Sequence, residues 1–381
     1  MDFALTSDQI EYRQAVFEFA STVLDPGTEE REINGGFTRE LWQKCADFGI
    51  QGLPFPTEYS GQGADAVTTA LALEALGHGC RDNGLLFSIN AHMWSAAMPV
   101  LRFGTDAQKG KYLRGLCDGS MIGVQGMTEP GSGSDAYSLS TTARLEGDRY
   151  LLNGSKTFIT NAPVADVFVV FATTDKTKGW AGLSAFLVER DAPGLTVGKT
   201  FRKMGLKSSP MSDLFFDDCE VPVENVLGKV GSGMMIFQHS IDWERSLILA
   251  STIGSVERQL ETAVGFAKDR EQFGQPIGDF QAVSHRLVDV RVRLEAARLL
   301  LYRNAWLWDE GTARPIDAAI TKLFLSENLV QSSLETLQTF GGAGYLEETG
   351  IERDVRDALA SRIYSGTSDI QKNVVARYMG L

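Results

Sequence analysis

Four short stretches concentrate residue types that can hold or move charge. Thr128-Glu129-Pro130-Gly131-Ser132-Gly133-Ser134-Asp135 combines permissive glycines with the hydroxyls of Thr128 and Ser134. Its turn amides suit carbonyl or phosphate oxygens, although an ordinary structural loop has the same composition. In Gly154-Ser155-Lys156-Thr157-Phe158-Ile159-Thr160-Asn161, Phe158 can cover an aromatic ring while Thr160 offers a hydroxyl to its polar edge. A plain strand with Phe158 in the core fits that stretch equally well. Arg270 can bind phosphate through paired, charge-assisted bonds, or stand solvated. By spacing alone, Glu244-Arg245 reads as a local ion pair on a solvated face.

These stretches fall into three regions of different periodicity. From Thr6 to about Gly119 the pattern is mainly helical: Thr6 with Gln9 forms a capping box, and Ile10, Val16, Phe17 and Ala20 make an imperfect apolar face. Pro54–Gly63 is a loop, with further helices at Ala66–Leu76 and Ala107–Leu116. Then come short β-rich runs at Tyr150–Leu152, Val167–Phe171, Leu183–Val188, Leu195–Val197 and Leu214–Phe216, with a hairpin turn at Glu146-Gly147-Asp148. They predict an antiparallel sheet or small barrel. Helical order returns near Met235. Val283, Leu287, Val290, Leu294 and Ala297 form a buried stripe, and another helix spans about Ile316–Phe340. The domains are expected at 1–120 (helical), 121–234 (β) and 235–381 (helical).

The order helical, β, helical, with no strand-linked GxGxxG, disfavours a dinucleotide-binding Rossmann unit; Gly231-x-Gly233 and Gly341-Gly342-Ala343-Gly344 lack the required context. Hydrophobic residues make up 43% of the 381, enough for a sizeable core, and the net charge of -13 argues against general nucleic-acid binding. The opening Met1-Asp2-Phe3-Ala4 leads into an amphipathic segment, so neither a signal peptide nor a membrane span is expected, and a cytoplasmic location is. Cys45, Cys80, Cys117 and Cys219, and the four histidines, show no metal-ligand spacing; buried free thiols are expected.

Taken together and in order, LPFPTEYSGQG, MTEPGSGSDA, NGSKTFITN, RKMGLKSS, WERS, DREQFGQPIGDFQ, QTFGGAGY and RIYSGTSDIQK resemble the acyl-CoA dehydrogenase family over nearly the whole chain. The resemblance implies an α+β fold: an N-terminal helical bundle, a middle antiparallel β domain and a C-terminal four-helix bundle. It also implies a homotetramer with one FAD per subunit. It places Gln125, Met127 and Thr128 by the flavin ring, Ser134 near the pyrophosphate, and Phe158 and Thr160 against the other ring face or edge. Arg270, Gln272, Phe273 and Gln281 resemble the part of the FAD site supplied by a neighbouring subunit. Gln338 and Gly342 match residues near the diphosphate and adenosine, followed by Thr367 and Asp369.

Many members carry a catalytic glutamate in an IYEGT segment, where this chain reads Ile363-Tyr364-Ser365-Gly366-Thr367. A neutral serine hydroxyl cannot serve as that base. Isovaleryl-type and long-chain-type members carry the glutamate at the position of Glu244, beside an arginine matching Arg245. The resemblance therefore makes Glu244 the base that takes the α-proton of an acyl thioester while the flavin accepts the β-hydride. The Ser365 backbone N–H and the flavin ribityl 2'-hydroxyl would hold the carbonyl oxygen, and Arg245 would lie at the substrate. ITNAPVADVF, QTFGGAGY and SRIYSGTSDIQK look closest to the branch that oxidises L-prolyl groups on peptidyl carrier proteins towards pyrrolyl-2-carboxyl thioesters. Its partner would be an acyl or aminoacyl carrier protein with a phosphopantetheine arm. Such carriers are commonly acidic, and Arg202, Lys203 and Lys207 are either a basic mouth for one or a solvated loop. A short- or branched-chain acyl-CoA dehydrogenase and a redox-silent FAD-binding interaction protein are the alternatives. The electron acceptor is either an electron-transferring flavoprotein or oxygen.

Overall fold

Thr6 and Gln9 close the expected capping box: Thr6 Oγ1 accepts from Gln9 N at 3.2 Å and Gln9 Oε1 accepts from Thr6 N at 3.1 Å. In this computed structural model, which describes residues 4–381, the box starts α1 (Ser7–Phe19). The opening Met1-Asp2-Phe3 lies outside the described residues. Val16 and Ala20 are buried, but Ile10 is exposed, because α1 is a surface helix with one narrow stripe against its neighbour.

The first region continues through α2 (Thr28–Asn34), α3 (Arg39–Asp47), α4 (Ala66–Gly79), α5 (Asn83–His92), α6 (Met98–Phe103), α7 (Asp106–Gln108) and α8 (Arg114–Cys117). A π-helical turn, Lys109–Leu113, interrupts the helix expected at Ala107–Leu116. Pro54–Gly63 is a loop containing one short helical turn, Thr57–Tyr59.

The sheet comprises β1 (Gly123–Gly126), β2 (Thr142–Glu146), β3 (Arg149–Thr160), β4 (Val167–Thr173), β5 (Leu183–Glu189), β6 (Leu195–Val197), β7 (Met211–Pro222) and β8 (Val226–Leu227). Their order is β6-β7-β3-β2-β4-β5-β8, with β1 beside β4. Glu146 pairs with Arg149 across the Gly147-Asp148 turn, as the hairpin reading expects. The sheet is mixed rather than purely antiparallel, since β1 runs parallel to β4 and β2 touches β4 in parallel. β4 is buried on both faces. Val167, Val169 and Phe171 join the large core shared with the helices, while Phe168, Val170 and Ala172 join a second core on the other face. That is why β4 is a continuous apolar run and lacks clean alternation.

The last region holds α9 (Gly233–Leu247), α10 (Ala250–Asp269), a small hairpin of β9 (Glu271–Gln272) and β10 (Gln275–Pro276), α11 (Gln281–Asp309), α12 (Pro315–Phe340), α13 (Ile351–Ala360) and α14 (Ser368–Tyr378). The predicted stripe on α11 is inward: Leu287, Val290, Leu294 and Ala297 are buried. α10, α11 and α12 pack on one another, and α9 and α14 pack on α12. α10 also crosses α4 at glycine contacts. A Cβ at Gly77 would collide with the Ser251 carbonyl and one at Gly254 with the Glu74 carbonyl, so the two helical regions share one rigid junction. All four cysteines are buried free thiols. No helix among the described residues is long and apolar enough to cross a membrane.

Candidate active site

Glu244 lies near the end of α9, and aromatic stacking fixes that helix. Trp243 stacks on Trp94 at 5.8 Å and on Trp308 of α11 at 4.0 Å, and Trp308 Nε1 donates to Ser246 Oγ at 2.8 Å. These contacts join α9 to two different parts of the chain, so the residue beside Trp243 has little freedom to move. Glu244 is half-buried. Desolvation by the surrounding protein pushes its carboxyl above the usual carboxylate range, opposed by a hydrogen bond from Ser365 and by the positive charges of Arg245 and Lys322.

The segment opposite Glu244 is the turn between α13 and α14. Ser365 and Gly366 both adopt left-handed backbone, with φ of 57° and 85°. Ser365 Oγ donates to Glu244 Oε1 at 2.5 Å, joining residues 121 positions apart. Arg245 Nε donates to the Ser365 carbonyl at 3.1 Å. The N–H groups of Ser365 and Gly366 have no acceptor among the described residues, leaving two free donors beside the carboxyl. Behind the turn, Tyr364 packs on Phe87 at 4.5 Å and lines a cavity of about 30 Å³ whose polar lining includes Asn83, Ser255, Asp354 and Asp357.

The Glu244-Arg245 ion pair read from spacing is not formed. Arg245 is buried, reaches the Ser365 carbonyl and faces Asp242 at 3.8 Å, acting on Glu244 through its field. The three basic residues considered as a mouth do not form one. Lys203 turns inward to the Leu206 and Ser209 carbonyls, Lys207 pairs with Glu32 at 3.2 Å, and Arg202 alone is exposed with no hydrogen-bond or ion-pair partner among the described residues.

Gln125, Met127 and Thr128 follow one another out of β1, and Phe158 and Thr160 end β3. The two segments are tied where Thr157 N donates to the Thr128 carbonyl at 2.9 Å. Beneath them Lys156 and Glu129 form a buried ion pair at 2.7 Å, and Lys156 also donates to the Met127 carbonyl at 3.1 Å. Glu129 further accepts from Ser140 and Thr141, so Lys156 and these donors hold its carboxyl down at about 2 despite its burial. The strand reading that buries Phe158 is incorrect: the register slips between Lys156 and Ile159, Phe158 takes φ 59°, and its ring is 63% exposed. An exposed ring held in strained backbone, next to a hydroxyl and a glycine loop, fits a planar aromatic cofactor such as a flavin. In that loop Ser134 is exposed, and the N–H groups of Gly133 and Ser134 have no acceptor among the described residues, which suits a pyrophosphate.

Arg270, Gln272 and Phe273 lie on the β9–β10 hairpin and Gln281 starts α11; all four are exposed, Phe273 by 95% at φ 54°. Gln338 and Gly342, also exposed, lie at the end of α12, brought to the same end of the molecule by stacking of Phe266 on Phe340 at 4.1 Å. No hydrogen bond or ion pair joins this group to the β1–β3 edge among the described residues. Thr367 caps α14 by accepting from Ile370 N at 3.2 Å, and Asp369 is exposed in its first turn.

Sequence reasoning missed Lys322 and Gln371, both buried and both donating to the Gly366 carbonyl, at 2.9 and 2.8 Å. A signal for Lys322 exists: it interrupts the stripe Ala318, Leu325 and Leu329 on α12, where a lysine is costly unless used.

Comparison with known proteins gives three consecutive matches: "Acyl-CoA dehydrogenase, N-terminal domain" at residues 6–120, "middle domain" at 125–219 and "C-terminal domain" at 231–380. Among curated relatives, an L-prolyl-[peptidyl-carrier protein] dehydrogenase from a Serratia species is 43% identical, covering 100% of this chain and 99% of the relative. Among solved structures, the prolyl acyl carrier protein oxidase AnaB superposes with a TM-score of 0.98 at 46% identity, covering 99% of this chain and 100% of AnaB. PigA with FAD and proline gives 0.97 at 43% identity, covering 100% of both chains.

Proposed function

The chain belongs to the acyl-CoA dehydrogenase family, and from that premise we propose that it is an FAD-dependent dehydrogenase of an L-prolyl thioester carried on a peptidyl carrier protein. The observation that carries this reading is the contact between Glu244 and Ser365, which sets a carboxylate base beside the two free N–H groups of the 365–366 turn.

FAD, when bound, supplies the acceptor for hydrogen removed as hydride. Gln125, Met127, Thr128, Ser134, Phe158 and Thr160 would hold its ring and pyrophosphate. Arg270, Gln272, Phe273, Gln281, Gln338 and Gly342 would complete that site from a neighbouring subunit of a homotetramer, with Thr367 and Asp369 beside it. The free N–H group of Ser134 in the first group and the exposure of the residues in the second support this division.

Glu244 takes the α-proton of the thioester, and its desolvated carboxyl is a stronger base than a solvated one. The Ser365 N–H donates to the thioester carbonyl oxygen as negative charge gathers there. Arg245 and Lys322 keep enough positive potential at the site for Glu244 to ionise. Two such oxidations would bring a prolyl group to the pyrrolyl level.

The test is anaerobic bleaching of the flavin by prolyl-loaded carrier protein against free short-chain acyl-CoA, with mass spectrometry of the phosphopantetheine-tethered product. Bleaching by the carrier substrate with a matching mass loss supports the reading. Bleaching by acyl-CoA alone overturns the prolyl assignment, and bleaching by neither overturns the enzymatic one.

A further inference from the structure

We propose that Lys322 is a positioning residue of this reaction, which holds the Ser365–Gly366 turn from α12 and supplies the second positive charge in whose field Glu244 ionises. The inference rests on Glu244 being the base.

The turn is an unlikely conformation that must be held. Two successive residues with positive φ, one of them a serine, cost energy that the surroundings have to offset. Three side chains do so through two carbonyls. Arg245 Nε and Gln371 Nε2 donate to the Ser365 carbonyl at 3.1 and 3.0 Å; Gln371 Nε2 and Lys322 Nζ donate to the Gly366 carbonyl at 2.8 and 2.9 Å. The clamp is tight, since a Cβ at Gly366 would lie 2.9 Å from Gln371 Nε2 and 3.1 Å from Arg245 Nη2. With both carbonyls engaged, the N–H groups of Ser365 and Gly366 are left for a ligand.

Lys322 differs from the other two clamp residues. Gln371 is neutral, and Arg245 shares its charge with Asp242. Lys322 is fully buried, yet no carboxylate among the described residues lies within ion-pair distance of its Nζ. A buried cation answered only by a carbonyl and, at 5.9 Å, by the face of the Tyr364 ring is expensive and has a cheaper structural substitute in an apolar side chain. Its charge is therefore available to Glu244. The groups that set the ionisation of Glu244 are Arg245 and Asp242 on α9, Lys322 with Glu327 behind it on α12, and Ser365 and Tyr364 in the turn. Asp357 on α13 acts through Tyr364, and Tyr137, before β2, faces Arg245. Gln371 on α14 adds no charge. Among these only Arg245 and Lys322 are cations, and burial together with Arg245 brings Lys322 down to about 8, so it stays charged at neutral pH.

The test is a pH titration of FAD-loaded protein without substrate, following the infrared band of the protonated carboxyl that is lost in Glu244→Gln. In Lys322→Met the midpoint moves up by about one pH unit, the low end for losing a nearby opposite charge. Lys322→Arg returns it towards wild type. A role confined to packing would lower stability or FAD content without moving that midpoint. An unmoved midpoint in folded, FAD-bound Lys322→Met overturns the proposal. Should that variant not fold, Lys322→Gln is compared with Lys322→Arg: a shift in Gln alone supports the charge role, and equal midpoints in both overturn it. The titration needs no substrate, so it stands even where prolyl-carrier turnover is not found. Near-normal flavin reduction in Glu244→Gln would instead remove the base reading on which the proposal depends.

Discussion

Ser365→Ala isolates the hydroxyl that replaces the family's usual glutamate. Its Oγ donates to Glu244 Oε1 at 2.5 Å, a bond to a group that is charged when active as a base. Such bonds contribute about 1.5–3 kcal/mol, and water can partly replace this one because Glu244 is half-buried, so the low end applies. At about 1.4 kcal/mol per unit, losing it raises the Glu244 pKa by about one. The sign follows from which form is favoured: the bond stabilises the ionised carboxylate, so its loss makes the base harder to ionise. In stopped-flow anaerobic reduction of the flavin by prolyl-loaded carrier protein, the acid limb of the pH–rate profile should move up by about one unit, with the plateau changed only a few-fold. Ser365→Gly should show the same limb. It should also be the more stable of the two by about 1 kcal/mol, because φ is 57° at this position and alanine is strained there. An acid limb that stays in place in both variants, or moves to lower pH, would refute the reasoning.

Glu244→Gln should slow flavin reduction by about 10²–10⁴-fold while FAD content and the absorbance spectrum are retained; near-normal reduction would end the base assignment. Lys156→Met leaves Glu129 buried without its cation and should cost about 3–5 kcal/mol of stability, read by denaturant unfolding at neutral pH. Lys44→Met, which breaks only an exposed pair with Glu40, should leave stability nearly unchanged. Glu129 is held below its usual range, so its stabilising contribution is full above that range and is lost as pH falls through about 2. Arg270→Ala should weaken FAD retention by on the order of tenfold or more, measured by flavin release on dilution, and loss of FAD should track subunit dissociation. Unchanged retention would remove Arg270 from the cofactor site.

The three-region layout was legible because it rests on local regularities. The Thr6–Gln9 cap, the α11 stripe and the runs that became β3 to β7 are each written within a few residues. The motif order pointed to the family for a similar reason, since glycine loops and strand ends keep their residue types wherever backbone geometry is demanding. Short elements escaped notice: β1, β8 and the β9–β10 hairpin are too brief to show a period, and their partners lie far away in sequence. Phe158 was open to two readings because a register slip in β3, invisible to alternation, decides which way its ring points.

The residue types around Glu244 were set by the sequence, as was the loss of a carboxylate at Ser365. What they do to one another was decided by tertiary structure. Stacking of Trp243 between Trp94 and Trp308 sets Glu244 against a turn 121 residues away, and only there does the serine hydroxyl become the hydrogen-bond partner of Glu244. Lys322 shows the same division. Its place in an apolar stripe is a local fact, whereas its use depends on α12, α9 and the 365–366 turn meeting at one point. Hydrogen bonds and electrostatic fields act over a few ångströms of space, and packing alone determines which distant residues come that close.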